Sequence, residues 1–353
     1  MIREVTLIDH KMKKIVLLLF FILTGMSLRA QMMPDSTVQF VAYWNVGDKY
    51  QYNFESIDKE VDANGDTTIV KQSYEVIEFE VVAKTDESYQ IKMTTLEEEN
   101  SDPQGKLIDK IFKEYGADIP VLFSTNNLGS LQSIDNLQEL SSSIANAMEP
   151  LAQAILKEQG LEAKDLEGFD MQGFMQELLK QTTDPSLIQT SILDYIGRLF
   201  FFHGARLEID HTYSFEEPLN FMIPGIEQLT ATTNFWADGE YTDEYSSICR
   251  TYTSANVGKE TVVSALGTYS DMAAEFIEDA DTLKTDIKEI INKGVADVDI
   301  NISWEQYTTT EIHLNTGWPL RHYQDKYVKA GEPGKDTAKE TIESRYIEII
   351  LSE

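Results

Sequence analysis

The sequence predicts an α+β chain built on a curved antiparallel sheet, half-barrel-like, covered by a helical insertion and one further helical segment. Three observations carry that prediction. Apolar residues alternate with polar ones through Tyr50, Tyr52 and Phe54, through Tyr89, Ile91 and Met93, and through Val298, Ile300, Ile302 and Trp304, which is the period of half-buried strands. Between residues 135 and 202 the period changes to 3.6, as an amphipathic helix requires. Asn-Gly and Gly-Asp turns separate consecutive strand-like runs, a hairpin signature.

Taken in order, Val38 to Glu97 reads as antiparallel β. The turn Val46-Gly47-Asp48 opens one run, and Asn64-Gly65 supplies the positive φ angles of a tight hairpin. Pro103 to Tyr115 reads as helical in part. Val121-Leu122-Phe123 and Leu131-Gln132-Ser133-Ile134 then bracket Asn126-Asn127-Leu128-Gly129, a second hairpin signal. The insertion at 135–202 holds three helical stripes. The first carries Leu137, Ile144, Met148, Leu151 and Ile155, and the second Phe174, Met175, Leu178 and Leu179. The third starts at Asp184-Pro185, with proline at the first helical position, and shows Ile188, Ile192, Tyr195, Ile196 and Leu199. These apolar faces must lie on one another or on the sheet. Strands resume over 206–255, including a turn at Ala237-Asp238-Gly239. Segment 260–293 is helical, with Met272, Phe276, Leu283, Ile287, Ile290 and Ile291 on one side. Strands at 318–328 and 342–351 are joined by Gly331-Glu332-Pro333-Gly334, whose composition suits a loop.

The amino terminus reads as an address. Met12-Lys13-Lys14, the apolar run from Ile15 to Leu23 and the small residue Ala30 form the three regions of a secretory signal peptide over 12–31. Residues 1–11 read as an upstream mis-start. The run is shorter than the ~20 apolar residues that span a bilayer, so no transmembrane segment is expected after cleavage. Residues 32–353 are expected to form a single α+β domain, periplasmic or secreted, with no cysteine placed to carry a lipid anchor.

Charge narrows the partners. The chain has 29 Lys+Arg against 60 Asp+Glu, a formal charge of −31, and residues 1–31 are richer in basic than acidic side chains. Such a surface repels phosphate backbones, whose affinity for proteins rests on Lys and Arg replacing counterions. Nucleic acid is excluded as a partner. Cys249 is the sole cysteine, so no intrachain disulfide forms. It lies in strand-like sequence and reads as a buried small residue.

Chemical motifs are sparse. The chain lacks a nucleophile elbow, a His-Glu-x-x-His pair, a phosphate-binding loop and a dinucleotide fingerprint. Asp62-Ala63-Asn64-Gly65-Asp66 opens like a calcium loop, but Thr67 and Ser73 stand where glycine and glutamate are needed; a hairpin is the better reading. His203, His211, His313 and His322 show no acidic or cysteine partner at a metal-ligand spacing. No metal and no cofactor are expected, and no catalytic pair can be picked from so many carboxylates. Trp304 faces the apolar side of its strand and reads as core.

Leu199-Phe200-Phe201-Phe202-His203-Gly204 is the segment to single out. Three successive phenylalanines cannot all face one side of a helix or strand. Together with the flexible apolar side chains of Met148, Met171 and Met175, they suggest an apolar surface able to take a ligand. The candidate ligand-binding residues are Phe174, Met175, Phe200 and Phe202.

The order of Val46-Gly47-Asp48-Lys49-Tyr50-Gln51-Tyr52, then Leu128-Gly129-Ser130-Leu131 leading to Asp135-Asn136-Leu137-Gln138-Glu139-Leu140, then Asn315-Thr316-Gly317-Trp318-Pro319, resembles uncharacterised exported proteins of Gram-negative anaerobes. More distantly it resembles the lipoprotein-carrier type of fold, a curved antiparallel sheet whose hollow is covered by helices. The resemblance implies no catalytic residues.

The function expected from these readings is that of an exported, non-enzymatic protein. It would bind an apolar small molecule or lipid-like, amphipathic ligand between sheet and helices. Two alternatives stay open at this point: a cell-envelope protein-interaction module with a filled core, partnered by an envelope protein, and a carboxylate-dependent glycan or peptide hydrolase.

Overall fold

Alternation along the strands decides which face of the sheet is dry. In Lys49–Val61 (β2) the inward side chains are Tyr50, Tyr52 and Phe54. They stand opposite Phe79, Ile77 and Glu75 of Thr67–Lys84 (β3). The computed structural model describes residues 35–62, 64–158, 173, 183–219, 229–261, 264, 301–331 and 339–350. The signal segment, the helical stripe containing Phe174 and Met175, Met171, and nearly all of segment 260–293 lie outside the described residues.

The remaining elements follow in chain order. Thr37–Gln39 (β1) precedes β2. After β3 come Ser88–Asn100 (β4), helix Pro103–Glu114 (α1), Val121–Asn126 (β5), Leu131–Ile134 (β6), helix Leu137–Glu158 (α2) and helix Pro185–Ile196 (α3). Then come Arg206–Glu208 (β7), Tyr213–Leu219 (β8), Leu229–Asp238 (β9), Ser246–Val257 (β10), Asn301–His313 (β11), Pro319–Gly331 (β12) and Lys339–Ile350 (β13). Eleven strands make one open antiparallel sheet in the order β6-β5-β4-β3-β2-β13-β12-β11-β10-β9-β8, while β1 and β7 pair separately. The expected α+β class with a curved antiparallel sheet is what the structure has.

Two meanders build the sheet. One runs β2 to β6, the other β8 to β13, and the last strand closes on the first through β13 and β2, from Glu340 opposite Val61 to Ile350 opposite Gln51. Each strand pair adds roughly −20 to −25° of twist. Register shifts at Asp58/Lys59, Val76/Ile77, Val81/Ala83 and Glu311/Ile312 bend the strands further.

The main core lies on the concave side of the first meander. Tyr52, Phe54, Ile77, Phe79, Ile91 and Phe123 from the sheet pack with Ile188, Ile196, Leu199 and Phe200 from α3 and the turn after it. α3 starts as its sequence suggests: the Asp184 carboxylate accepts the Ser186 amide at 2.7 Å, and Pro185 occupies the first turn. Asp102 caps α1 in the same way, through Gly105. α1 and α2 bury Ile111, Ala147, Met148 and Leu151 in a cluster of their own. A further cluster joins Val38, Phe40, Phe202, Leu207, Cys249, Ile312 and Leu314. Among the described residues no helix is long and apolar enough to cross a membrane.

Hairpin chemistry at Asn64-Gly65 is as expected. Gly65 has φ 86°, and the Asp62 carboxylate accepts the amides of Asn64 and Asp66 at 2.9 and 2.8 Å. That carboxylate closes the turn.

Phe200 tests which cluster dominates stability. Phe200→Ala should cost about 3–5 kcal/mol, the range for emptying a buried aromatic site. Phe201→Ala, at a half-buried position, should cost less than half of that in urea unfolding. Equal losses would mean that the turn, not the aromatic core, is what fails.

Candidate functional site

The three phenylalanines separate as stereochemistry demands. Phe200 (2% exposed) meets Trp44, Phe79 and Phe123 at ring separations of 5.9, 6.0 and 5.7 Å. Phe202 (1% exposed) instead meets Phe40 at 6.0 Å and Phe235 at 6.4 Å. Phe201 turns toward Phe215 and Phe235, with the Arg198 guanidinium 5.9 Å from its ring centre. The structure therefore brings Phe200 and Phe202 into two different packed clusters. The other two candidates, Phe174 and Met175, lie outside the described residues.

The concave face of the second meander has a different character. Cross-strand register lays its inward side chains in rows. One row runs Thr251, Thr308, Gln324, Arg345 and on to Ser56 of β2. The row beside it runs Thr253, Gln306, Lys326, Glu343 and Asp58. On the other side lie Cys249, Thr310, His322 and Ile347. Beyond the Gln306 row the face is apolar again at Ala255, Trp304 and Val328. A polar band thus crosses the hollow of the sheet between two apolar zones.

The band is dry, since Thr251, Thr253, Gln306, Thr308, Thr310, His322 and Gln324 are all buried. Buried hydroxyls and amides must find partners or cost roughly 1–3 kcal/mol each. Most of the threonines do so across the strands: Thr251 bonds Thr308, Thr233 bonds Thr253 at 2.7 Å and also Glu217, and Thr310 bonds His322 Nδ1 at 2.9 Å. Gln306 Nε2 is buried with no hydrogen-bond partner among the described residues. Charges frame the band in pairs. Arg345 reaches Glu343 at 2.6 Å and Lys326 reaches it at 3.0 Å, while Arg198, just after α3, is 3.4 Å from Glu217 of β8. Burial pushes the Glu343 carboxyl up, but Arg345 and Lys326 outweigh it and hold the group below its ordinary range.

Burial shifts the titratable groups on this side of the sheet. Burial, reinforced by Arg198 and Arg345, pushes the His322 imidazole down to about 3. Burial drives His203 down to about 4, against the bond that its Nε2 makes to the Gly317 carbonyl. Cys249 is fully buried and its thiol is raised well above the ordinary range, the opposite of an activated nucleophile. His313 bonds Thr316 at 2.9 Å, apart from the His322–Thr310 pair. Among the described residues no group of three or more His, Cys, Asp or Glu side chains is arranged to hold a metal ion.

A carboxyl cluster sits where α1 meets the sheet. Asn100 Nδ2 donates to Asp109 at 2.6 Å, Lys113 lies 3.5 Å from Glu98, and the Tyr195 hydroxyl of α3 donates to Glu75 at 2.9 Å. Burial, then Asp109 and Glu75, push Glu98 up to about 7.

The band was not found by sequence reasoning. Its signal is visible in retrospect: after Trp304, the strand Glu305-Gln306-Tyr307-Thr308-Thr309-Thr310 carries polar residues at inward as well as outward positions.

No protein-family model matches the chain, and no curated protein matches it. Among solved structures, one of lipovitellin, described by its lipid–protein interactions, aligns with a TM-score of 0.39 at 6% identity, over 87% of this chain and 25% of that one. The chain thus spans about a quarter of that protein's length, and at this score the likeness carries no functional argument.

Two pH effects follow. An imidazole held below its unfolded value of ~6.5 gives stability that is complete above pH 6.5 and is lost as pH falls toward the folded value. His322→Gln should therefore flatten the acid-side slope of unfolding free energy between pH 6.5 and 4 by about 1.4 kcal/mol per pH unit, one proton's worth. An unchanged slope would show that His322 is not protected. Glu98 has the reverse sign: its protonated form favours the fold, and that contribution disappears as pH rises through about 7. Glu98→Gln should melt higher than the wild type at pH 8 and level with it at pH 5. A difference that ignores pH would remove the carboxyl cluster as its cause.

Proposed function

We propose that this chain is an exported binding protein that holds an amphipathic, lipid-like molecule against the concave face of its sheet, without catalysing its conversion. The observation that carries this reading is the dry polar band between two apolar zones. A sheet built only to be packed would continue Val, Ile and Phe along β10 to β12. Here Thr, Gln and His replace them, and Gln306 keeps an unused donor. An amphipathic molecule has the matching order, with a polar group for the band and hydrocarbon for the flanks. The amino-terminal signal pattern supports an exported location, periplasmic or secreted. The neutral, buried state of His203 and His322 and the raised thiol of Cys249 support a role in holding a ligand and not in reacting with it.

The test is direct. Organic extraction of protein purified from its native host, followed by mass spectrometry, should return an amphipathic molecule in near-stoichiometric amount. The purified chain should also bind cis-parinaric acid saturably. Gln306→Leu should weaken that binding about tenfold, the value of one buried hydrogen bond, while leaving the unfolding midpoint equal or higher because an unpaired buried donor is gone. No extractable molecule and no saturable probe binding would overturn the proposal.

A further inference from the structure

The outward face of the same sheet has a composition that packing does not explain. Register puts Tyr252 opposite Tyr307, Tyr323 opposite Tyr346, and Glu55 opposite both Tyr346 and Tyr74. With Tyr327, six tyrosines stand on this face from β10 across to β3. Strands about 4.8 Å apart carry them over roughly 24 Å. Ring centres are 4.8 Å apart for Tyr252–Tyr307, 5.9 Å for Tyr307–Tyr327 and 4.8 Å for Tyr323–Tyr346.

Cross-strand aromatic pairs stabilise a sheet, and that accounts for pairing. It does not account for exposure: Tyr307, Tyr346 and Tyr74 are 45%, 38% and 37% exposed. Tyrosine concentrates where a protein meets a partner, because it offers a large rigid ring at small entropic cost.

Charge selects the partner. Glu55, Glu305 and Asp325 lie among the rings and are held by hydroxyls and amides. Tyr307 donates to Glu305 at 3.1 Å, Gln72 to Glu55 at 2.7 Å, and Tyr323, Tyr327 and Ser344 to Asp325. Among the described residues no ion pair reaches these three carboxylates. Of the cations on this face, Arg250 pairs with Asp238 at 2.7 Å and Arg321 with Glu348 at 3.3 Å, while Lys59 donates to the Ser344 hydroxyl at 3.1 Å. We infer that the outward tyrosine face is a docking surface for a lysine- or arginine-rich polypeptide segment. Cationic side chains fit both features, lying over tyrosine rings and neutralising the carboxylates between them. A second copy of this chain does not fit, since two faces of a protein with a formal charge of −31 repel each other.

The experiment must separate this face from the pull of net charge. A fluorescein-labelled peptide alternating Lys and Arg with Gly and Ser is titrated against the full chain at 0.15 M salt. The variant Tyr74→Ser/Tyr307→Ser/Tyr346→Ser keeps every charge and should bind at least tenfold more weakly. The corresponding Tyr→Phe variant keeps the rings and should bind within threefold of the wild type. If the triple serine variant does not fold, the single Tyr307→Leu variant is read by the same titration and should lose at least threefold. Unchanged affinity in a folded serine variant, or in Tyr307→Leu, would show attraction by net charge alone and overturn the inference. Displacement of the peptide by a neutral oligosaccharide such as cellohexaose, without loss on raising salt, would overturn it in favour of a glycan platform.

Discussion

The imidazole of His203 is the point on which the two halves of the sheet are pinned. Its Nε2 stands 2.5 Å from the Gly317 carbonyl, so that nitrogen carries the proton and donates. Its own carbonyl accepts the Ser130 hydroxyl at 2.6 Å. One residue thus ties the turn between β5 and β6 in the first meander to the turn between β11 and β12 in the second. The strap from Phe40 to Trp44 runs between them, with Ala42 N bonded to Leu128 O at 3.0 Å and Tyr43 N to Thr316 O at 3.1 Å. Trp44 and Trp318 stack at 4.6 Å beside the ring. Two glycines make the approach possible. A Cβ on Gly129 would come within 2.6 Å of His203 Cδ2, and one on Gly317 within 2.3 Å of the Val41 carbonyl. Both glycines also hold positive φ, at 96° and 73°, which other residues adopt only with strain.

This clamp explains why the histidine stays neutral and why that matters. A charged imidazole here would need solvation that the aromatic surroundings cannot give. Neutral, it offers one donor for one carbonyl and adds its ring to the aromatic cluster around Trp44 and Phe200. The clamp also fixes the segment from Arg198 to Gly204, and so sets α3 on the aromatic half of the concave face. Tyr195 then lies over Phe54 at 5.3 Å, and Arg198 reaches across to Glu217 on β8. The concave face is thus divided into an aromatic half under α3 and a polar band, both buried.

Local pattern made much of this legible in advance. Tyr50-Gln51-Tyr52-Asn53-Phe54 declares a half-buried strand, Asn64-Gly65 a hairpin, and Asp184-Pro185 a helix start, because each depends on neighbours within a few residues. The turn at Gly129 was also legible as a turn, and Gly317 stood in a motif of its own. What they hold was not, for His203 meets Ser130 and Gly317 across 73 and 114 residues, and no local period encodes such a contact. Pairing of β13 with β2 was hidden for the same reason. The stretch from Thr67 to Gln72 extends β3 although every side chain in it is exposed, Ile69 and Val70 included, since pairing with β2 supplies what hydrophobic burial does not. The polar band escaped for a different reason: reading strands by alternation assigns apolar residues inward, and Gln306, Thr308 and Thr310 invert that rule.

That inversion has an energetic meaning. A buried hydroxyl paired with another across a strand roughly breaks even, because it exchanges bonds to water for bonds within the protein. A buried amide with an unused donor does not. Replacing Gln306 by an apolar residue of similar volume would relieve a desolvation cost of roughly 1–3 kcal/mol, while the neighbouring Trp304, Ala255 and Val328 show that this part of the sheet accommodates apolar packing. The cost is therefore local and avoidable; His203 uses its one donor, while its Nδ1 is buried without a partner among the described residues. The aromatic half of the hollow is filled by α3 and the Phe200 turn, and it too holds buried donors without partners among the described residues, the indole Nε1 groups of Trp44 and Trp318. The band differs in its make-up, since buried hydroxyls, an imidazole and amides stand there where the aromatic half has rings.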